Sequence, residues 1–205
     1  MTTTTTITSF PLQAGIRARV AGGSTDNFSI SGTCAGTATF TNGAAAASTF
    51  EGVSGFAAPT TVTVNFTNCT PATNALSGIG YVDGNYSPLG SSIPGVEYTK
   101  FVSVPAPLPA SVRVGDTAVY SAQTTYTDST KSVTTGERIL SYVIEADTAT
   151  TATVNLITKG YDTSNQLLFT QQTRYRIAGD GTLTIVSIDV QFSTTSTNRL
   201  IYTKM

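Results

Sequence analysis

Glu145 and Asp147 are two positions apart in the alternating run Val133–Asp147. On a β-strand that spacing puts both carboxylates on one face. Two such groups could hydrolyse a glycoside with inversion, one as acid and one as base, provided they stand about 6.5–9.5 Å apart. A solvated strand end ahead of a hairpin has the same appearance, and that plainer role is the expected one.

Arg17 and Arg19 share a strand face in the β-like run 12–20, and so do Arg174 and Arg176. Paired guanidinium groups can clamp a carboxylate or sulfate through bidentate hydrogen bonds. Exposed arginines also blunt the surface of a sheet, and this is the expectation for both pairs. Tyr81, Asp83, Asn85, Tyr86 and Tyr98 fall in a Gly-rich stretch. Tyrosine rings beside a carboxylate and an amide are what a carbohydrate site uses, because rings cover pyranose faces while polar groups take the hydroxyls. Tyrosines flanking hairpins are common in β-proteins too. Asp26, Asp83, Asp128 and Asp162 lie in loop-like segments without the close D-x-D clustering that calcium sites favour.

The chain contains no His. A Ser-His-Asp triad, a Cys-His nucleophile and an imidazole metal site are therefore excluded. There is no nucleotide-binding glycine motif and no G-x-S-x-G elbow. No cofactor is expected. The net charge is −1, with 11 basic and 12 acidic residues among 205. So even a balance gives no electrostatic footprint for nucleic acid. No apolar run reaches the roughly 18 residues that read as a transmembrane helix, so no transmembrane segment is expected.

Thr (40 residues) and Ser (20 residues) dominate the composition. Thr is β-branched and stiff at χ1, which favours strands over helices. Cys34 and Cys69 cannot complete a zinc site without further ligands, so a disulfide is the default for the pair. Low charge, abundant hydroxyls and a disulfide together point to a secreted, periplasmic or lipid-anchored protein. The Thr-rich start lacks a basic region and an apolar stretch, and reads as a tether left after removal of a signal segment.

Turn signals in the first half recur at short intervals. Between them lie β-like runs at 12–20, 27–31, 37–41, 60–66, 78–82 and 96–104. Thr61–Phe66 alternates cleanly, with Val62, Val64 and Phe66 on one face. The second half has longer alternating runs at 116–127, 133–147, 151–161, 166–177, 182–193 and 199–204. Asp180-Gly181 predicts a two-residue type I′ hairpin with Gly179 opposite Thr182. That register sets Tyr175 opposite Val186 and Phe169 opposite Phe192, and Arg174 diagonal to Asp189. Leu140, Tyr142, Ile144 and Ala146 should share a face with Ala152, Val154 and Leu156 across the next hairpin.

The expected fold class is all-β: a short-stranded, sandwich-like N-terminal half and a long-stranded antiparallel meander, as a curved sheet or barrel, in the C-terminal half. The expected organisation is a flexible tether at 1–10, a disulfide-stapled domain at 11–104, a linker at 105–110 with three prolines, and a meander domain at 111–205. The expected role is a non-catalytic binding or structural module of the bacterial envelope. The alternatives are a carrier whose apolar pocket is lined by Tyr142, Phe169, Tyr175 and Phe192, and a self-assembling surface subunit that adds Thr2–Phe10 to a neighbour's sheet. Candidate partners are a carbohydrate, an apolar ligand or an envelope protein.

Overall fold

The computed structural model describes residues 7–193 and 197–205. It is all-β, with 62% strand and 6% helix. One helix, α1 (Leu12–Gly22), precedes the strands β1 (Ser24–Gly32), β2 (Gly36–Asn42), β3 (Ala46–Phe50), β4 (Val53–Phe66), β5 (Thr73–Asp83), β6 (Pro88–Ile93) and β7 (Glu97–Phe101). The second half supplies β8 (Thr117–Tyr126), β9 (Thr134–Ala146), β10 (Thr151–Asp162), β11 (Leu167–Ala178), β12 (Leu183–Phe192) and β13 (Arg199–Lys204).

Neighbouring strands pair antiparallel, and β13 returns to β1. β2 and β3 lie along the same edge of β4, β2 against Thr60–Phe66 and β3 against Val53–Ala57. The result is a closed barrel of 12 strands with β3 as the extra one. Residues 11–104 and 111–205 are thus two parts of one sheet, joined at the β7–β8 pairing as well as at β1–β13. The proline-rich segment 105–110 leaves the wall between β7 and β8. Its Leu108, and Val112 just after it, are buried in the core.

Along β1, β2 and β4, alternation separates an apolar inside from a hydroxyl-bearing outside. Phe28 and Ile30 of β1, Ala38 of β2 and Val64 of β4 pack together inside. On the outer face, Thr37, Thr39 and Thr41 of β2 lie beside Asn65, Thr63 and Thr61 of β4 and opposite Ser29, Asn27 and Thr25 of β1. Along these strands the outside is therefore hydroxyl and amide, whereas a lipid-embedded barrel carries its apolar band there. No described helix is long and apolar enough to cross a membrane.

An eight-stranded barrel is just filled by its own side chains, and more strands leave space inside. Here α1 and the chain on either side of it occupy one end. Phe10 bridges to Val112, and both are buried with Leu12 and Leu108 against Tyr142, Ile144, Ala152, Val154 and Ile177 of the wall. The helix corrects the expected strand at 12–20. Its Leu, Gln, Ala and Arg residues are good helix formers. Gly23 ends it with φ +70°, donating its N–H to the Arg19 carbonyl. The tether expected at 1–10 is also corrected in part: Ile7 donates to the Ala149 carbonyl at 2.8 Å, and Phe10 is 1% exposed. Thr2–Thr6, the start of the expected assembly strand, lies outside the described residues.

At the opposite end, the Cys34–Cys69 disulfide joins the β1–β2 loop to the β4–β5 loop. Closing this sequence separation of 35 removes freedom from the unfolded chain. Ala35 adds a hydrogen bond to the Asn68 side chain at 2.6 Å and accepts one from Thr67 at 2.8 Å.

The β11–β12 hairpin has a different turn from the one predicted. Gly181 has φ +88°, Asp180 does not share the left-handed conformation, and Ile177 faces Leu183. A bulge after Arg174 takes up the extra residue. Phe169 faces Phe192 as predicted, but Tyr175 faces Ile185. Val186 consequently turns outward, 36% exposed, and Ile185 is buried. Asp189 bonds Arg199 of β13 instead of Arg174. The β9–β10 hairpin has its predicted register, with Tyr142 opposite Leu156 and Ile144 opposite Val154.

Candidate functional site

The plug does not fill its end of the barrel. A chamber of about 240 Å³ remains between α1 and the wall. Ile16, Arg19 and Val20 form its helix side; Ala58, Val82, Leu156, Tyr120 and Tyr175 form its wall side. Tyr86 and Leu108 from neighbouring loops and Pro88 at the start of β6 also line it, and Ser24 and Asn42 supply a polar corner. The helix gives this surface because positions 16, 19 and 20, three and four residues apart, fall on one side of a 3.6-residue turn.

Gly15 sets the depth of α1. A Cβ there would lie 2.5 Å from the Gly181 carbonyl oxygen and 3.0 Å from Leu183 Cδ1. Only a hydrogen fits between helix and hairpin turn.

Arg19 carries charge into the chamber. Its guanidinium lies 5.0 Å from the centre of the Tyr175 ring and bonds the Asp26 carboxylate. Lys204 approaches the other Asp26 oxygen at 3.2 Å. Burial by itself would raise the Asp26 pKa, but hydrogen bonds and charge attraction from Arg19 and Lys204 outweigh it, so the group is held below the ordinary value. Burial pushes the phenols of Tyr120 and Tyr175 upward, so both stay neutral at physiological pH.

Of the five residues considered for carbohydrate, Tyr86 alone lines the chamber. It is 6% exposed, stacks on Phe56 at 4.9 Å, and has the Arg17 guanidinium 5.5 Å above its ring. Asp83 builds the adjoining turn by accepting the N–H groups of Asn85 and Ser87, each at 2.8 Å. Asn85 is exposed. Tyr81 and Tyr98 belong to a different cluster, where Phe50 stacks on Tyr81 at 4.2 Å and meets Tyr98 at 5.6 Å. Tyr98 donates its hydroxyl to Glu51 at 2.6 Å. The Glu51 carboxylate also takes Lys131 at 2.7 Å and Lys100 at 3.1 Å. The tip of the β3–β4 hairpin is thereby clamped to its neighbours.

The four residues considered for an apolar pocket are divided as well. Tyr175 lines the chamber and Tyr142 belongs to the core beside it. Phe169 lies toward the other end of β11, with the Arg138 guanidinium 5.5 Å above its ring. Its register partner Phe192 is 43% exposed.

Glu145 and Asp147 do face the same way, but each is engaged by its own arginine. Glu145 lies 3.8 Å from Arg174 and takes a hydrogen bond from Asn155 at 2.9 Å. Asp147 binds Arg176 and Thr151, both at 2.6 Å, which holds its pKa below the usual value. Asp128 and Asp162 cap turns through backbone N–H groups. Among the described residues, no group of three or more His, Cys, Asp or Glu side chains is placed to hold a metal.

Nothing in the spacing of Arg19 and Asp26 marks them as partners. They are seven positions apart and meet because the chain reverses at Gly23. A usable signal was present: Leu12, Ile16 and Val20 recur every four residues, a helical interval. Compared with known proteins, the chain matches no family model, no curated protein and no solved structure.

Proposed function

We propose that this protein is a non-catalytic, extracytoplasmic binding module that holds a small, mostly apolar ligand in the chamber beneath α1. The chamber itself carries the reading: an apolar space within a closed barrel, bounded by a helix on one side and by aromatic wall residues on the other. Ligand sites in barrels have this form, a largely apolar concavity with a few fixed polar groups. The disulfide supports an oxidising compartment. The hydroxyl and amide outer face of β1, β2 and β4 supports a water-exposed barrel.

Thermal unfolding in the presence of small amphiphiles tests the reading. A ligand at 100 times its Kd stabilises the folded state by about 2.7 kcal/mol. The wild-type melting temperature should rise with concentration. In Ala58→Phe, which fills the chamber from its wall, that rise should vanish. Absence of any shift in a folded wild type, or equal shifts in both proteins, contradicts the proposal.

A further inference from the structure

We infer that the ligand is a monoanion, a carboxylate joined to an aromatic ring or short alkyl body, with its charged end at Arg19. This rests on the chamber reading and adds the chemical class.

Size limits the body. A cavity of about 150 Å³ lined by apolar side chains holds benzene. At about 240 Å³, this chamber holds one ring with a short arm, or an alkyl chain of comparable volume. Leu156 and the rings of Tyr86, Tyr120 and Tyr175 offer such a body apolar contact.

Charge selects the head group. Arg19 is the charged residue among those lining the chamber. Its partner Asp26 is shared with Lys204, so two cations face one carboxylate and the set carries a net charge of +1. A guanidinium has five N–H donors and suits a planar carboxylate. In surroundings of low dielectric an anionic head compensates the excess charge, whereas an ammonium head adds to it.

Calorimetric titration at pH 7 with 3-phenylpropionate, 3-phenylpropan-1-ol and 3-phenylpropylamine tests the inference, because the three share a body and differ in head charge. Octanoate and octan-1-ol repeat the comparison with an alkyl body. The acids should bind at least tenfold more tightly than their alcohols, and the amine most weakly. In Arg19→Gln the acid-to-alcohol affinity ratio should fall from at least tenfold to about one. Arg19→Lys should keep part of it. If Arg19→Gln does not fold, the double variant Arg19→Gln/Asp26→Asn, which removes both partners, serves in its place. Equal binding of acid and alcohol by the wild type, or a preference that survives loss of Arg19, overturns the anion inference and leaves the chamber reading intact. Failure of every probe to bind overturns both.

Discussion

Arg19 of α1 is bonded to Asp26 of β1, so the plug is fastened to the inner wall by the strand that follows it. Both side chains are mostly buried, at 17% and 11% exposure, and Lys204 brings β13 to the same carboxylate. The pairing that closes the barrel and the contact that seats the helix therefore meet at one residue.

Asp26→Asn should cost roughly 2–4 kcal/mol, because removing one partner strands buried charge. Urea unfolding measures it. The sign with pH follows from the lowered pKa: the contribution is complete above the ordinary value of 3.8 and is lost as acid protonates the group below it. Acidification should thus loosen α1, and Asp26→Asn should remove that part of the pH dependence. A variant as stable as the wild type would contradict the fastening role.

Glu51 makes a second acid-sensitive contact on a different part of the wall. Hydrogen bonds from Lys131 and Tyr98 lead the effects that lower its pKa from 4.5 to about 2. The stabilisation it brings is complete above about pH 4.5 and fades between there and about 2. Glu51→Gln should flatten this acid limb in a stability–pH profile and leave the profile at neutral pH parallel to the wild type. An unchanged acid limb would count against the clamp.

Reduction of the disulfide, or the double variant Cys34→Ser/Cys69→Ser, should destabilise the fold by about 3–4 kcal/mol through the freer unfolded chain. The loss should show as a lower denaturant midpoint. Since the bridge lies at the end opposite the chamber, ligand affinity measured under folding conditions should stay within about twofold. A selective loss of affinity would place the chamber's support elsewhere.

The two glycines of α1 should respond in opposite directions. Gly15→Val should cost about 1–3 kcal/mol, since the close Gly181 oxygen is backbone and cannot swing aside. Gly22→Ala meets nothing within 4 Å and should gain a few tenths to 1 kcal/mol from the reduced entropy of the unfolded chain. Thermal melts of both variants check the pair, and a tolerated valine at position 15 would refute the close seating of the helix.

Most of the wall was legible because strands with one wet and one dry face alternate with period two. The long runs of the second half became β8–β13 with small changes at their ends. β3 and β6 were missed, being short and rich in Ala, Ser and Gly. The helix was missed for a sharper reason. An apolar residue every fourth position is a multiple of two and also close to one turn of α-helix, so 12, 16 and 20 fit either period. Tertiary packing decides between them: a barrel of this width needs a filler, and a helix bearing Leu12 and Ile16 toward the core supplies it. The hairpin at 178–182 illustrates the other limit. Asp-Gly fits a two-residue turn, but Asp180 instead caps the Thr182 N–H at 2.9 Å and the ladder absorbs the offset as a bulge. The chamber was half legible, through Tyr86 and Tyr175. Its charged end was not, because Arg19 read as strand surface.

Isotope-filtered NMR of the protein with 3-phenylpropionate locates the ligand directly. The account predicts intermolecular NOEs from the phenyl protons to the rings of Tyr86, Tyr120 and Tyr175. NOEs to Tyr81 and Tyr98 at the Glu51 clamp, or to no tyrosine at all, would contradict it.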